Sequence, residues 1–293
     1  VFLFHSPGWV DHEQWSNELR YQGALGDRSE LTVGAYWLSA DLAYHDRRLF
    51  LGDADGVPAA TQDGGGLQSL ETRAAFGAVD VRLSTALTLN AGLRASREEK
   101  AVRVASFNVT PAPCNIVEAG DCPFDFVDEA QFDTLAPRLG LTYDLRDRWL
   151  LWGHWTRAFR SGGYNLRNSN AAEAPGPYDE EQVDSVEFGL RAAAKGWSVD
   201  LAAFATRVDD MQREVNLPSE SAGILQLVRN TAEARLLGLE FEGRGRLAEG
   251  LWLNASLSYL DASYEEVSFD LNGDGVVNGA DRDLELPRAP EWT

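Results

Sequence analysis

The residues best suited to chemistry lie in one short run, Asp270-Leu271-Asn272-Gly273-Asp274-Gly275-Val276-Val277-Asn278-Gly279-Ala280-Asp281. Side-chain oxygens recur at its first, third, fifth, ninth and twelfth positions. Hard oxygen donors at that spacing suit a calcium ion, since Ca²⁺ takes six to eight oxygens in a flexible shell. Asp270, Asn272 and Asp274 would wrap one side, and Gly275 would permit the sharp turn. The carbonyl of Val276 and the carboxylate of Asp281 would complete the shell, with Asn278 acting through a water. Such an ion orders a loop and implies no catalytic duty. The competing reading is an Asp/Asn/Gly-rich loop that is merely solvated.

No other constellation suggests catalysis, and the chain reads as a non-enzyme. It holds no nucleophile elbow, no HExxH helix and no phosphate-binding glycine loop. His5, His12, His45 and His154 are scattered over different segments. Cys114 and Cys122 share one loop, and in an oxidising compartment they would staple it.

The elements that must carry these residues follow a period of two. Leu87, Leu89, Ala91, Leu93 and Ala95 alternate with Thr88, Asn90, Gly92 and Arg94. Leu139, Leu141, Tyr143 and Leu145 alternate with polar residues or glycine, as do Leu237, Leu239 and Phe241. Leu251, Leu253, Ala255, Leu257 and Tyr259 repeat the pattern. Each window is a β-strand with one apolar and one wet face.

Connections alternate in length as well. Short turns fall near 26–29, 83–85, 146–148, 195–196 and 248–250, and long polar segments at 51–67, 106–133, 161–180, 215–229 and 268–287. The predicted strands are 14–26, 30–49, 68–82, 86–106, 134–145, 149–160, 181–194, 197–214, 230–247 and 251–267, with an eleventh beginning near Arg288. Short turns at one end and long loops at the other are the plan of an antiparallel transmembrane β-barrel. Aromatics near strand ends (Tyr36, Trp37, Trp149, Trp152, Trp155, Trp197, Trp252, Tyr259) are read as interfacial girdles facing outer-membrane lipid. A mean hydropathy of -0.29 does not oppose this, because alternation hides apolar residues from averages. The net charge of -20, from 46 acidic and 26 basic residues, excludes a nucleic-acid partner. Wet-face Arg94, Arg138, Glu187, Arg191, Glu240, Glu242 and Arg244 are assigned to a hydrated lumen wall. A soluble sandwich or propeller would need a second layer, and no sequence supplies one.

A family resemblance then emerges. Trp152–Asn165 (WGHWTRAFRSGGYN) resembles a barrel motif of TonB-dependent receptors. Asn17-Glu18-Leu19-Arg20, Gly92-Leu93-Arg94 and Ala136-Pro137-Arg138-Leu139-Gly140 are similar to its earlier strands. Glu180–Leu190, Asp209-Asp210-Met211-Gln212, Asn230–Glu242 and Pro290-Glu291-Trp292-Thr293 follow in the family's order. The 270–281 loop resembles an EF-hand loop of the dockerin type, departing from the usual EF-hand in ending on Asp281 rather than glutamate.

The resemblance implies a 22-stranded barrel with an N-terminal plug, of which residues 1–293 would supply about ten strands, without plug or C-terminal strands. It further implies a monomer in the bacterial outer membrane, driven through the plug by the TonB complex. The cargo class would be a ferric siderophore, haem, cobalamin or glycan, and Arg160, Tyr164 and Asn165 could touch it at the rim. A passive porin-like or adhesive barrel, or a secreted calcium-binding β-protein, remain the alternatives at this stage.

Overall fold

The computed structural model describes residues 2–52, 60–105, 115–119, 122, 124–167, 173–219 and 223–293. They form one antiparallel sheet of β1 (Phe2–His5), β2 (Gly8–Ala24), β3 (Ser29–Gly52), β4 (Ala60–Arg82), β5 (Leu87–Ala105), β6 (Phe126–Arg146), β7 (Trp149–Arg160), β8 (Glu181–Ala194), β9 (Trp197–Ser219), β10 (Gly223–Ala248) and β11 (Leu251–Val267). Two short helices, α1 (Ile116–Ala119) and α2 (Gly279–Arg282), lie in connections. From β3 onward each strand pairs with the next in sequence. β1 and β2 both pair with β3, end to end, so together they occupy one strand position. Pro7 interrupts them because it has no N–H, yet its carbonyl still accepts from the Arg47 amide at 3.0 Å. Ten strand positions result, as the alternation predicts. The next strand has begun: Trp292 bridges Tyr259, and Thr293 exchanges both backbone bonds with Ser258.

The tight turns also fall where predicted. Lys195-Gly196 and Glu249-Gly250 join their strands directly, with φ of 89° at Gly196 and 77° at Gly250. Two-residue hairpins need positive φ to match strand twist. Arg148 meets the same demand at φ 74° without glycine's freedom.

The long-loop ends differ from expectation. β4 begins at Ala60, β6 at Phe126 and β10 at Gly223, seven or eight residues before the predicted starts, and β9 runs on to Ser219. Alternation fades there because neither face meets lipid, while backbone pairing needs no side-chain pattern. Pairing continues to Ser219↔Gly223 inside a segment expected to be loop.

The two faces are sharply different. Leu19, Ala35, Ala75, Ala95 and Leu135 lie in one cross-strand row on the outward face. Phe188, Ala203, Leu239 and Tyr259 form another. Among the described residues nothing packs over Leu19, which is 79% exposed, or Phe188, 64% exposed. A soluble sheet would not leave such a surface bare. Trp149 and Trp197 mark its short-turn edge. Trp37 and Trp155 mark the other, their indole N–H groups donating to Glu71 at 3.0 Å and Asp184 at 3.2 Å. Tyr36, Trp152 and Trp252 correct the girdle assignment. Their register places them on the inward face, where Trp152 stacks on His154 and Trp252 lies under Arg244. Bulky inward rings are accommodated by facing glycines. A Cβ at Gly189 would sit 2.3 Å from the Trp152 ring, and one at Gly238 2.1 Å from Phe204. No helix among the described residues is long and apolar enough to cross a membrane.

Candidate functional site at the long-loop rim

Three sequence motifs converge where β7 leaves the sheet. The Gln212 side-chain amide donates to the carbonyls of Ser161 (3.0 Å) and Asp179 (2.9 Å), and its backbone N–H donates to Glu181 (2.7 Å). Asn230 closes the other side, accepting from the Asp179 amide at 2.8 Å and donating to the carbonyls of Asp179 and Asp210. Asn165 ties its own loop to β10, accepting from the Val228 amide (2.7 Å) and donating to the Val228 carbonyl (3.1 Å) and, within the loop, to the Pro175 carbonyl (3.0 Å). Asp210, at φ 53°, makes the bulge that sets Gln212 in place. Buried main-chain groups must be paired, and short amide side chains do this where the ladder stops.

The glycines of the motif permit a close crossing. Gly163 and Tyr178 exchange two backbone bonds, and a Cβ on Gly162 would lie 2.3 Å from the Tyr178 carbonyl and from the Phe132 ring. Lys100, paired with Glu98 at 2.8 Å, donates to the Gly162 carbonyl and the Ser161 hydroxyl from beneath. Tyr164 is buried against Val102 and Val104, its hydroxyl donating to Asp128 at 3.0 Å. Burial and the neighbouring Asp128 push that phenol well above its ordinary range. Tyr164 and Asn165, considered for ligand contact, therefore hold the loop in place. Arg160 is the member left exposed, on the inward face.

The 268–289 segment folds back over the inward face. Leu286 is buried with Val208, Ala232, Ala234 and Tyr264, and Leu271 and Ala289 pack beside it. Within it the five predicted metal-site residues have these partners. Asp270 accepts from the amides of Gly273 and Gly275, both at 2.7 Å. Asn272 accepts from Asp274, and Asp274 from Val276. The Val276 carbonyl accepts from the Asn278 side chain at 3.0 Å. Asp281 is fully buried and accepts from Leu271 (2.7 Å), Asn272 (3.0 Å) and Asn278 (2.9 Å). Those N–H donors, Asn278 foremost, hold its carboxyl below the usual carboxylate range. Asn278 and Asp281 also form a capping box on α2. Among the described residues no group of three or more His, Cys, Asp or Glu is gathered to hold a metal. The oxygen-rich composition fits calcium; the placement of Asp281, turned onto backbone donors, does not.

The wet-face charges do line the inward wall, with small local pairings. Arg191 meets Asp200 at 2.5 Å, and Glu187 lies 3.5 Å from His154. Arg94 sits over the Tyr36 and Phe76 rings, and Arg244 over Trp252. Arg138, Glu240 and Glu242 share this face by register. Cys122 is disulfide-bonded and packs with Ile116 and Ala105. Cys114 lies outside the described residues.

The sequence matches the family described as TonB dependent receptor-like, beta-barrel, over residues 3–293. The chain belongs to this family. Its outward apolar band accordingly lies in the bacterial outer membrane, and the amide-rich knot at the rim is built from barrel motifs of a TonB-dependent receptor. Pesticin receptors of Yersinia enterocolitica and Yersinia pestis are each 24% identical over 221 residues. That alignment takes in 75% of this chain and 28% of each relative, so the chain spans little more than a quarter of their length. The ferric yersiniabactin uptake receptor FyuA from Yersinia pestis superposes over 100% of the chain and 40% of its own, with a TM-score of 0.76 at 18% identity. The siderophore receptor PiuA from Acinetobacter baumannii does so over 97% of this chain and 43% of its own (TM-score 0.72, 13% identity).

Proposed function

We propose that this barrel wall belongs to a TonB-dependent uptake receptor for a ferric siderophore or similarly scarce nutrient. The family match along nearly the whole chain carries the reading. The similar structures named for ferric yersiniabactin and siderophore uptake favour an iron chelate over haem, cobalamin or glycan. The wall's physical part is passive. Its outward face dissolves in lipid, its polar inward face keeps a hydrated path, and its rim holds long loops in fixed positions over that path. The 22-strand count, the plug and the TonB complex belong to this proposal. Uptake of a labelled ferric siderophore into cells with and without the receptor tests it. The expected result is uptake lost on deletion and abolished by a protonophore. Uptake that survives the protonophore would mean a passive pore.

The calcium loop is part of the same proposal. Asp270, Asn272, Asp274 and the Val276 carbonyl would hold the ion once Asp281 exchanges its backbone donors for it. Calcium would supply local order to the loop. Isothermal titration of the receptor with Ca²⁺ should give heat that Asp274→Ala removes. No heat at millimolar calcium would leave the loop fastened by Asp281 alone.

A further inference from the structure

Beyond the girdle, the outward face carries two cross-strand rows that run from β2 to β6. One reads Glu13, Asp41, Ser69, Ala101 and Glu129. The next, toward the long loops, reads Asp11, Ala43, Leu67, Arg103 and Val127. Together they line a groove of about 710 Å³ whose middle is small and apolar and whose ends are acidic.

The chain does not cancel these charges. Glu13 stands directly opposite Asp41, where like charges repel across an antiparallel pair. Among the described residues Asp11, Glu13, Asp41 and Glu129 make no ion pair, and all four are exposed. Arg103, the cation of the lining, lies over the Phe124 ring at 4.2 Å. Phe124 and Leu67 pack against Ile116 and the disulfide-bonded Cys122, so a fastened shelf bounds the groove on its long-loop side.

Its level separates the groove from lipid. Arg82, at the short-turn end of β4, is thirteen residues on from Ser69. At roughly 3.3 Å per residue and a tilt of about 40°, Ser69 stands about 33 Å away along the barrel axis, past the roughly 25 Å apolar band. Water faces the groove there. Asp41 and Glu129 share a row three strand spacings apart, about 14 Å at roughly 4.8 Å each. A fitting occupant carries positive charge at two such points and apolar side chains between them. Among the described residues no three carboxylates gather to hold a metal, and a second copy of the chain would bring the same negative charge.

We propose that this groove docks a cationic amphipathic peptide segment of an extracellular partner. Its basic side chains meet Glu13 and Asp41 at one end and Glu129 at the other, and its apolar ones cover Ala43, Leu67 and Ala101. The net charge of -20 draws such a segment to the receptor, and the spacing of the acidic ends selects it. The surface lies on the outer wall, apart from the lumen that uptake would use.

Fluorescence anisotropy of the receptor in phosphatidylcholine nanodiscs, with a labelled peptide bearing a lysine pair at each end of a Leu/Ala centre, tests this. Asp41→Asn combined with Glu129→Gln should weaken binding about tenfold, the combined effect of two exposed ion pairs. Ala101→Leu, which fills the middle and keeps every charge, should weaken it too, whereas Asp147→Asn at a short turn should not. A peptide of the same composition with its lysines in one block should bind less tightly. Heat-modifiable gel migration identifies folded variants, and Glu129→Gln alone replaces the double variant if that one fails it. Equal binding of the two peptides, or binding untouched by the Asp41 and Glu129 substitutions, would mean unspecific attraction to an acidic receptor and overturns the proposal. So does loss of binding when lipopolysaccharide is added to the discs, which would assign the groove to a membrane saccharide.

Discussion

The side-chain amide of Gln212 donates to the main-chain carbonyl of Ser161 at 3.0 Å, joining residues 51 apart in sequence. That bond ties the start of one long connection to the strand two places along the sheet. The loop is thereby held by the wall.

Gln212→Ala should cost about 1–3 kcal/mol, because it removes the side-chain donor to the Ser161 carbonyl and one of the two side-chain donors to the Asp179 carbonyl. The loss is local. Hydrogen exchange should rise at Ser161–Gly163 and around Tyr178, with the apolar band unchanged. Uniform exchange along the chain would show that Gln212 carries no such special role.

Gly162→Ala places a Cβ where the Tyr178 carbonyl and Phe132 ring already lie, both at 2.3 Å. The expected outcome is a detached 161–180 connection, cut more readily by protease, in a barrel that still shows heat-modifiable migration. A protease pattern identical to the parent's would contradict the crossing described at the rim.

The pH response of the 268–289 loop follows from Asp281. Its folded-state pKa is depressed, so its contribution is fully present above the ordinary aspartate value and is lost as pH falls through the lower folded value. Amide protection at Leu271, Asn272 and Asn278 should therefore hold at neutral pH and fail only below about pH 4. Asp281→Ala should abolish it at every pH. Protection that disappears between pH 6 and 5 would point to another group.

The face assignment can be tested within one strand. Leu93→Arg puts a charge into lipid and should cost about 2–4 kcal/mol in urea-driven refolding into liposomes if it lies near the midplane. Arg94→Gln, one residue on, should have a much smaller effect, since Arg94 faces the Tyr36 and Phe76 rings on the wet side. Equal costs would mean the register is misassigned.

Much of this architecture is legible in the chain because lipid on one face and water on the other impose a strict period of two. Leu87–Ala95 and Leu251–Tyr259 declare their faces for that reason, and glycine marks the hairpins at Gly196 and Gly250 because only positive φ fits there. The long-loop ends were harder to read. Beyond the membrane the pattern lapses, so the extra lengths of β4, β6, β9 and β10 leave no trace in hydropathy. Trp152 and Trp252 read as girdle residues in the sequence because an aromatic near a strand end carries no label for its face; register alone sets it.

What the sequence by itself determined, then, is the fold class, the strand count, the direction of each strand and the family, all properties of local period and motif order. Only the tertiary structure decided what the motif residues touch. Tyr164, Asn165, Gln212 and Asn230 lie far apart in the chain and meet because strand register brings their ends to one rim. The opposition of Glu13 to Asp41 has the same origin: it depends on the pairing of β2 with β3, which no single strand encodes. Period is a property of one strand, whereas a site is a property of several held in register.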